Sequence, residues 1–209
     1  MRVIAGKNHG LRLKMVPSKL TRPTTEKVKE ALFSIIAPYN KPGIVLDLYA
    51  GSGSLGIEAV SRGYRKAYLV DHARPAIEVI RNNVIATKSP ENFEIIKAPA
   101  SQAIKQFFDN QIRFDLVIFD PPYAKQHIVK DISSLTEYNL LTEHALIVAE
   151  TDRSGFNSLN SNLPNGYTVL SKKDYGITYL MVMERDVNMV KAVFSRDLCD
   201  PCKPLAIWM

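Results

Sequence analysis

An α/β fold with a mostly parallel, doubly wound sheet and an antiparallel edge hairpin is what this sequence predicts, and three observations carry it. Short apolar runs alternate with amphipathic stretches from residue 44 onward. A glycine-rich turn, Gly51-Ser52-Gly53-Ser54-Leu55-Gly56, joins the first run to the first stretch. Two late apolar runs separated by Lys172-Lys173-Asp174-Tyr175-Gly176 read as neighbouring strands folded back on each other. With 209 residues, 46% of them hydrophobic, the chain can bury one substantial core but is short for two independent enzyme domains.

Taken in order, residues 2–16 alternate around Lys7-Asn8-His9-Gly10 and predict a short hairpin with a basic exposed face. Thr24 or Thr25 then caps a helix with Glu26 in its first turn. Val28, Ala31, Leu32, Ile35 and Ile36 lie at helical spacing and form one apolar stripe, which Pro38 terminates. Ile44 to Leu48 reads as a strand, with a helix from Ser54. Ala67 to Val70 is followed by a helix from Arg74 to Thr87, and Phe93 to Lys97 by one from Ser101 to Phe108. Phe114 to Phe119, a loop and helix, Leu146 to Ala149, and the pair Tyr167 to Leu170 and Thr178 to Met183 complete a seven-strand sheet.

Net charge is +6, and residues 1–30 account for all of it: eight cations, among them Arg2, Lys7, Arg12, Arg22 and Lys29, stand against Glu26 and Glu30. A cluster of this kind is the usual footprint of a polyanion, most often nucleic acid. No apolar run approaches the roughly 20 residues needed to span a bilayer, and the opening residues lack a signal-peptide core. The expectation is a cytoplasmic protein without membrane contact. Cys199 and Cys202 form a lone Cys-x-x-Cys, too few ligands for a zinc site and away from a strand end suited to redox work. His9, His72, His127 and His144 are too dispersed to argue for a metal.

The glycine turn fits the G-x-G-x-x-G dinucleotide pattern, and Asp71 lies 20 residues past its first glycine. Asp47, at the end of the preceding strand, argues against that reading, because it would repel a pyrophosphate. A zwitterionic, cationic ligand suits it better. S-adenosylmethionine is such a ligand, with an amino-acid head for the region of Asp47 and the glycine turn and ribose hydroxyls for Asp71.

Asp120-Pro121-Pro122-Tyr123 ends the strand Phe114 to Phe119 at the sheet edge where ligands of open α/β folds bind. An exocyclic amine on a nucleobase is a poor nucleophile, its lone pair being delocalised into the ring. Asp120 and the Pro121 carbonyl can accept its two hydrogens and aim that lone pair at the methyl. Pro122 stiffens the backbone, and Tyr123 can stack on an unstacked base. The first and fourth strands are neighbours in the doubly wound order, so Gly51 and Asp120 should lie side by side.

Together these motifs resemble the RsmD family of ribosomal RNA small-subunit methyltransferases. The resemblance rests on Met1 to Gly6, Thr21-Arg22-Pro23-Thr24, Leu46 to Gly53, Leu55 to Ala59, Ser61-Arg62-Gly63, Asp120 to Tyr123 and Tyr175-Gly176, in that order over about residues 1–185. It implies a Rossmann-like methyltransferase fold, S-adenosylmethionine as cofactor, and transfer of its methyl to the exocyclic 2-amino group of a guanine in 16S rRNA. The partner would be that rRNA in a partly or fully assembled small subunit, met by a monomer or weak dimer. Arg2, Lys7, Arg12, Arg22 and Thr24 would face RNA. Asp47, Ala50, Gly51, Gly53 and Asp71 would hold the donor, helped by Tyr49, Ser52, His72, Ala98, Pro99 and Ser101. Asp71 replaces the usual Glu, and Pro99 stands where an acid or amide is expected to meet the adenine.

The implied organisation is a basic hairpin and helix over residues 1–40, a methyltransferase domain over 41–186, and a tail over 187–209 without assigned function. Two other readings remain open on the residues alone. One is a DNA adenine amine methyltransferase, since the clamp selects an amine rather than one base. The other is a donor- or RNA-binding protein without turnover. Asn82-Asn83 reads as surface or helix-end chemistry, Glu150 as an exposed strand-end acid, and Lys172, Lys173 and Tyr175 as either RNA contacts or a solvated turn.

Overall fold

The computed structural model describes residues 1–17, 26–122 and 127–186. Arg22, Thr24, Thr25, Tyr123, Cys199, Cys202 and the whole 187–209 tail lie outside the described residues.

Seven strands form one sheet: β1 (Ile44–Asp47), β2 (Lys66–Asp71), β3 (Phe93–Lys97), β4 (Phe114–Phe119), β5 (Leu141–Thr151), β6 (Tyr167–Asp174) and β7 (Tyr179–Arg185). Their order is β3-β2-β1-β4-β5-β7-β6. The first five run parallel, and β7 enters antiparallel between β5 and β6. Among the described residues six α-helices pack on the sheet: α1 (Glu26–Ile36), α2 (Ser54–Ser61), α3 (Arg74–Ala86), α4 (Ala100–Asp109), α5 (Ile128–Glu137) and α6 (Arg153–Asn162). This is the Rossmann-like arrangement that the alternating pattern predicts.

Successive strand residues point to opposite faces, and two apolar clusters follow from that period of two. Val45, Leu116, Ile118, Val148 and Val182 join Leu32 and Phe33 of α1, Ile57 of α2 and Ile80 of α3 on one face. Leu46, Val117, Phe119, Ile147 and Met181 join Phe107 of α4, Ile132 of α5 and Leu159 of α6 on the other. The middles of β1, β4 and β5 are therefore apolar on both faces, as a sheet covered on both sides requires, while the edge strand β6 is largely exposed. Asp115 holds the opposite strand end: its Oδ2 accepts from Ile44 N at 2.8 Å, tying β4 to the start of β1.

Several expectations change. The amino-terminal hairpin forms as a loop closed by Val3 N to Leu11 O (2.9 Å) and Gly10 N to Val3 O (2.9 Å), with a single bridge between Arg2 and Arg12 instead of two strands. The buried stripe of α1 is Val28, Lys29, Leu32, Phe33 and Ile36, turned from the predicted one, with Ala31 and Ile35 only partly covered. Lys29 is withdrawn from the basic surface: it is fully buried and ion-paired with Glu58 at 3.2 Å. α6 was not expected. Its sequence is poor in helix formers, but Asp152 caps it by accepting from Gly155 N at 2.8 Å, and Leu159 anchors it in the core.

Candidate active site

Parallel register places the two key motifs together. Asp47 is level with Ile118, and Leu48 N donates to Ile118 O at 3.1 Å, so Asp120 stands two residues beyond that level on the adjacent strand end. Asp71 ends β2 on the other side of β1. Three carboxylates thus converge on the carboxyl edge of the central strands, around the loop Ala50–Gly53.

The loop is shaped by glycine. Gly51 and Gly53 adopt left-handed conformations, with φ of +54° and +75°, and Gly53 leads into α2. Gly56 is required for a different reason: a Cβ there would meet Leu69 Cδ2 at 2.3 Å and Asp47 Oδ2 at 3.3 Å. Its absence lets α2 pack close enough for Gly56 N to donate to Asp47 Oδ2 at 2.9 Å. Asp71 fixes the loop from the side, Oδ2 accepting from Gly51 N at 3.0 Å and Oδ1 from Ala73 N at 2.8 Å.

Asp47 is 1% exposed, and its second oxygen, Oδ1, is buried without a hydrogen-bond partner among the described residues. Burial pushes this carboxyl up to about 7; the Gly56 N–H pulls it back, and the charges of Asp120 and Asp71 push it up again. An anionic phosphate has no place beside such a group. A cationic ligand does, because it supplies the charge that the site lacks.

The other predicted donor residues border this edge with varied surroundings. Ala50 is buried, its N donating to Val70 O at 2.9 Å, and Ser52 is half-buried. Tyr49 donates its hydroxyl to Asp131 Oδ2 at 2.6 Å, bracing the loop against α5, and burial raises both groups. His72 is exposed, its ring nitrogen 3.8 Å from Asp71. Ala98 N donates to Asp71 O at 3.2 Å, which sets the β3 end beside the β2 end. Pro99 precedes α4 and its carbonyl accepts from Ala103 N at 3.0 Å, while Ser101 is exposed on the first turn. Pro121 is buried and Pro122 exposed, next to a half-buried Asp120.

Of the predicted RNA-facing residues that are described, Arg2, Lys7 and Arg12 are all exposed on one loop, with Arg2 also paired to Glu26 at 3.2 Å. Three side chains with a larger part than sequence reasoning gave them lie behind the site. Glu58 is fully buried, accepting from Ile4 N (2.8 Å), Ala5 N (3.0 Å) and Arg62 Nε (2.8 Å) besides Lys29. Asn83 is 2% exposed and bonds only backbone, whereas a surface position was expected. Glu150 is likewise buried, inside β5 and level with Leu180 of β7, instead of exposed at a strand end. The available signal for Glu58 and Asn83 was their place on the inward faces of α2 and α3, among Ile57, Ala59, Ile80 and Val84.

A doubly wound sheet in this order, with a glycine loop and carboxylates at the ends of the central strands, defines a Rossmann-like methyltransferase. Residues 1–184 match the family described as "Conserved hypothetical protein 95", and the chain belongs to that family, the RsmD family. It is 36% identical over 178 residues to the Haemophilus influenzae "Ribosomal RNA small subunit methyltransferase D", covering 85% of this chain and 90% of the relative. With the Escherichia coli protein of the same name it shares 32% identity over 152 residues, 73% of this chain and 75% of the relative. A solved "conserved hypothetical protein" from Streptococcus pyogenes superposes with a TM-score of 0.68 at 42% identity, covering 77% of this chain and 96% of that one.

Proposed function

We propose that this protein transfers the methyl group of S-adenosylmethionine to the exocyclic 2-amino group of a guanine in 16S rRNA, within a partly or fully assembled small subunit. The observation that carries the reading is the meeting of Asp47, Asp71 and Asp120 at adjacent strand ends, beside a glycine loop and with one buried carboxylate oxygen unpartnered. The family relationship supports methyl transfer to rRNA.

The donor fits the residues present. Asp47 and the loop Ala50–Gly53, Ser52 included, would hold its zwitterionic amino-acid head, with Tyr49 at the loop's margin, and Asp71 would accept from its ribose. Both Asp71 oxygens already receive one backbone N–H, and each keeps a lone pair for a hydroxyl. His72, Ala98, Pro99 and Ser101 would border the adenine. When bound, the donor supplies a methyl already activated by a sulfonium, so the protein's share is alignment and charge.

Asp120 and the Pro121 carbonyl accept the amine hydrogens and turn the nitrogen's lone pair toward the methyl. Asp120 then stands where the proton shed by that nitrogen can go. The proline pair resists bending of this backbone, and Tyr123 offers a ring for the flipped base. Arg2, Lys7, Arg12, Arg22 and Thr24 hold the RNA backbone from the amino-terminal attachment formed by residues 1–40, while 41–186 form the methyltransferase domain.

Tritiated methyl transfer to small-subunit particles, bare 16S rRNA and DNA in parallel, followed by nucleoside analysis, tests this. The expected product is guanosine methylated on its 2-amino group, from rRNA. Label found only in adenine of DNA would overturn the assignment.

A further inference from the structure

We infer that Asn83 is a positioning residue that holds the donor loop in register with the amino-terminal attachment, an inference that rests on the methyl-transfer reading above. Asn83 lies on the buried side of α3, and its amide bonds only to backbone. Oδ1 accepts from Lys14 N at 2.8 Å, and Nδ2 donates to Lys14 O at 2.9 Å. The same Nδ2 donates to Ser52 O, in the middle of the glycine loop, at 2.9 Å. One side chain therefore satisfies both backbone groups of Lys14 in the manner of a strand neighbour, and spends its remaining hydrogen on the loop.

Only a carboxamide can do this. Aspartate would accept from Lys14 N but lose both donors, and an apolar residue would lose everything. A residue needed only for packing would have no use for an amide so placed.

The loop is gripped at two points by one strand–helix unit. Asp71, at the end of β2, accepts from Gly51 N at 3.0 Å, and Asn83, on α3, donates to Ser52 O. Of these two, Asn83 alone reaches on to the amino-terminal segment, where Arg12 and Lys14 are exposed. A polyanion held by those cations and a donor held by the loop thus lean on the same three hydrogen bonds.

Two substitutions separate positioning from general loosening. Both Asn83→Ala and Ser61→Ala remove an anchor of the amino-terminal segment, since Ser61 Oγ donates to Ala5 O at 2.6 Å and accepts from Asn8 N at 3.0 Å. Only Asn83 touches Ser52. Calorimetric titration with S-adenosylhomocysteine is expected to show about tenfold weaker binding to Asn83→Ala, and Ser61→Ala within about twofold of the unsubstituted protein. In methyl transfer to 16S rRNA, Asn83→Ala should raise KM for S-adenosylmethionine by about the same factor, with kcat within about twofold.

Unchanged affinity in Asn83→Ala, or an equal loss in Ser61→Ala, would overturn the inference. Should Asn83→Ala fail to fold, Asn83→Asp, which keeps the acceptor for Lys14 N, is expected to show the same weakening, and normal affinity there would also refute it. An unsubstituted protein that binds neither S-adenosylmethionine nor S-adenosylhomocysteine would overturn the methyl-transfer reading itself, and this inference with it.

Discussion

Asp47 is held in a place where its charge is costly until a cation arrives. Its carboxyl is raised to about 7 from an ordinary 3.8, mainly by burial, so the folded protein binds that proton more tightly than the unfolded chain does. This group's contribution to stability is fully present below about pH 4 and is lost as pH rises toward 7. Asp47→Asn keeps an oxygen for Gly56 N and turns an amide toward the neighbouring carboxylates. It should stabilise the free protein at pH 8 by on the order of 2 kcal/mol, with the gain gone near pH 4, as thermal unfolding at the two values would show. The same substitution should weaken donor binding. Asp120→Ala should do the reverse, lowering kcat at least about 100-fold while leaving S-adenosylhomocysteine affinity within about threefold; methyl incorporation at the normal rate would show that Asp120 is not catalytic. The strand-end places of both aspartates were legible in the sequence, because an apolar run followed by glycine or proline marks where a buried strand stops. Asn83, Glu58 and Glu150 were not, since a polar residue declares its partner only once a distant segment has packed on it.

Among the elements, α2 connects the two halves of the candidate site: the glycine loop opens it, and its last turn receives the amino-terminal loop. Gly6 is the closest point of that docking. Its φ is +83°, and a Cβ would lie 1.8 Å from the Ser61 carbonyl oxygen. Gly6→Ala is expected to cost about 2–4 kcal/mol through strain and forced separation, measured by chemical unfolding. It should loosen RNA binding more than donor binding. The first four strands were readable almost to the residue, with β3 and β4 as expected, because period and punctuation agree there. β5 was expected over 146–149 and runs over Leu141–Thr151. Lys172 to Asp174, expected in the turn, continue β6 by pairing with β7, because polar residues on an edge strand look like a loop. The α1 stripe was read wrongly because Lys29 looked solvated, and its place in the core depends on Glu58, 29 residues further along. α6 was missed because its stability comes from a cap and one buried leucine, and its composition argues against a helix.

For the whole molecule, the neighbouring of β1 and β4 and the antiparallel edge pair followed from the sequence because right-handed crossovers leave few arrangements for alternating strands and helices; the insertion of β7 between β5 and β6 was not read from it. The charge pattern was also legible, though Lys29 belongs to the interior. If the remaining cations bind rRNA phosphates, affinity should fall linearly with salt on logarithmic axes. Lys7→Ala should reduce that slope by about one and weaken RNA binding without changing which nucleoside is labelled. An unchanged slope would remove Lys7 from the interface. The Lys29–Glu58 pair sets a limit on modularity. Both side chains are fully buried, and their remaining bonds go to Arg2 O, Ile4 N, Ala5 N and Arg62. A chain shortened past the first loop would leave two core charges without half their partners, at a cost of several kcal/mol. The amino-terminal arm is thus no interchangeable adaptor: grafting a different one onto this catalytic body means rewriting part of its interior.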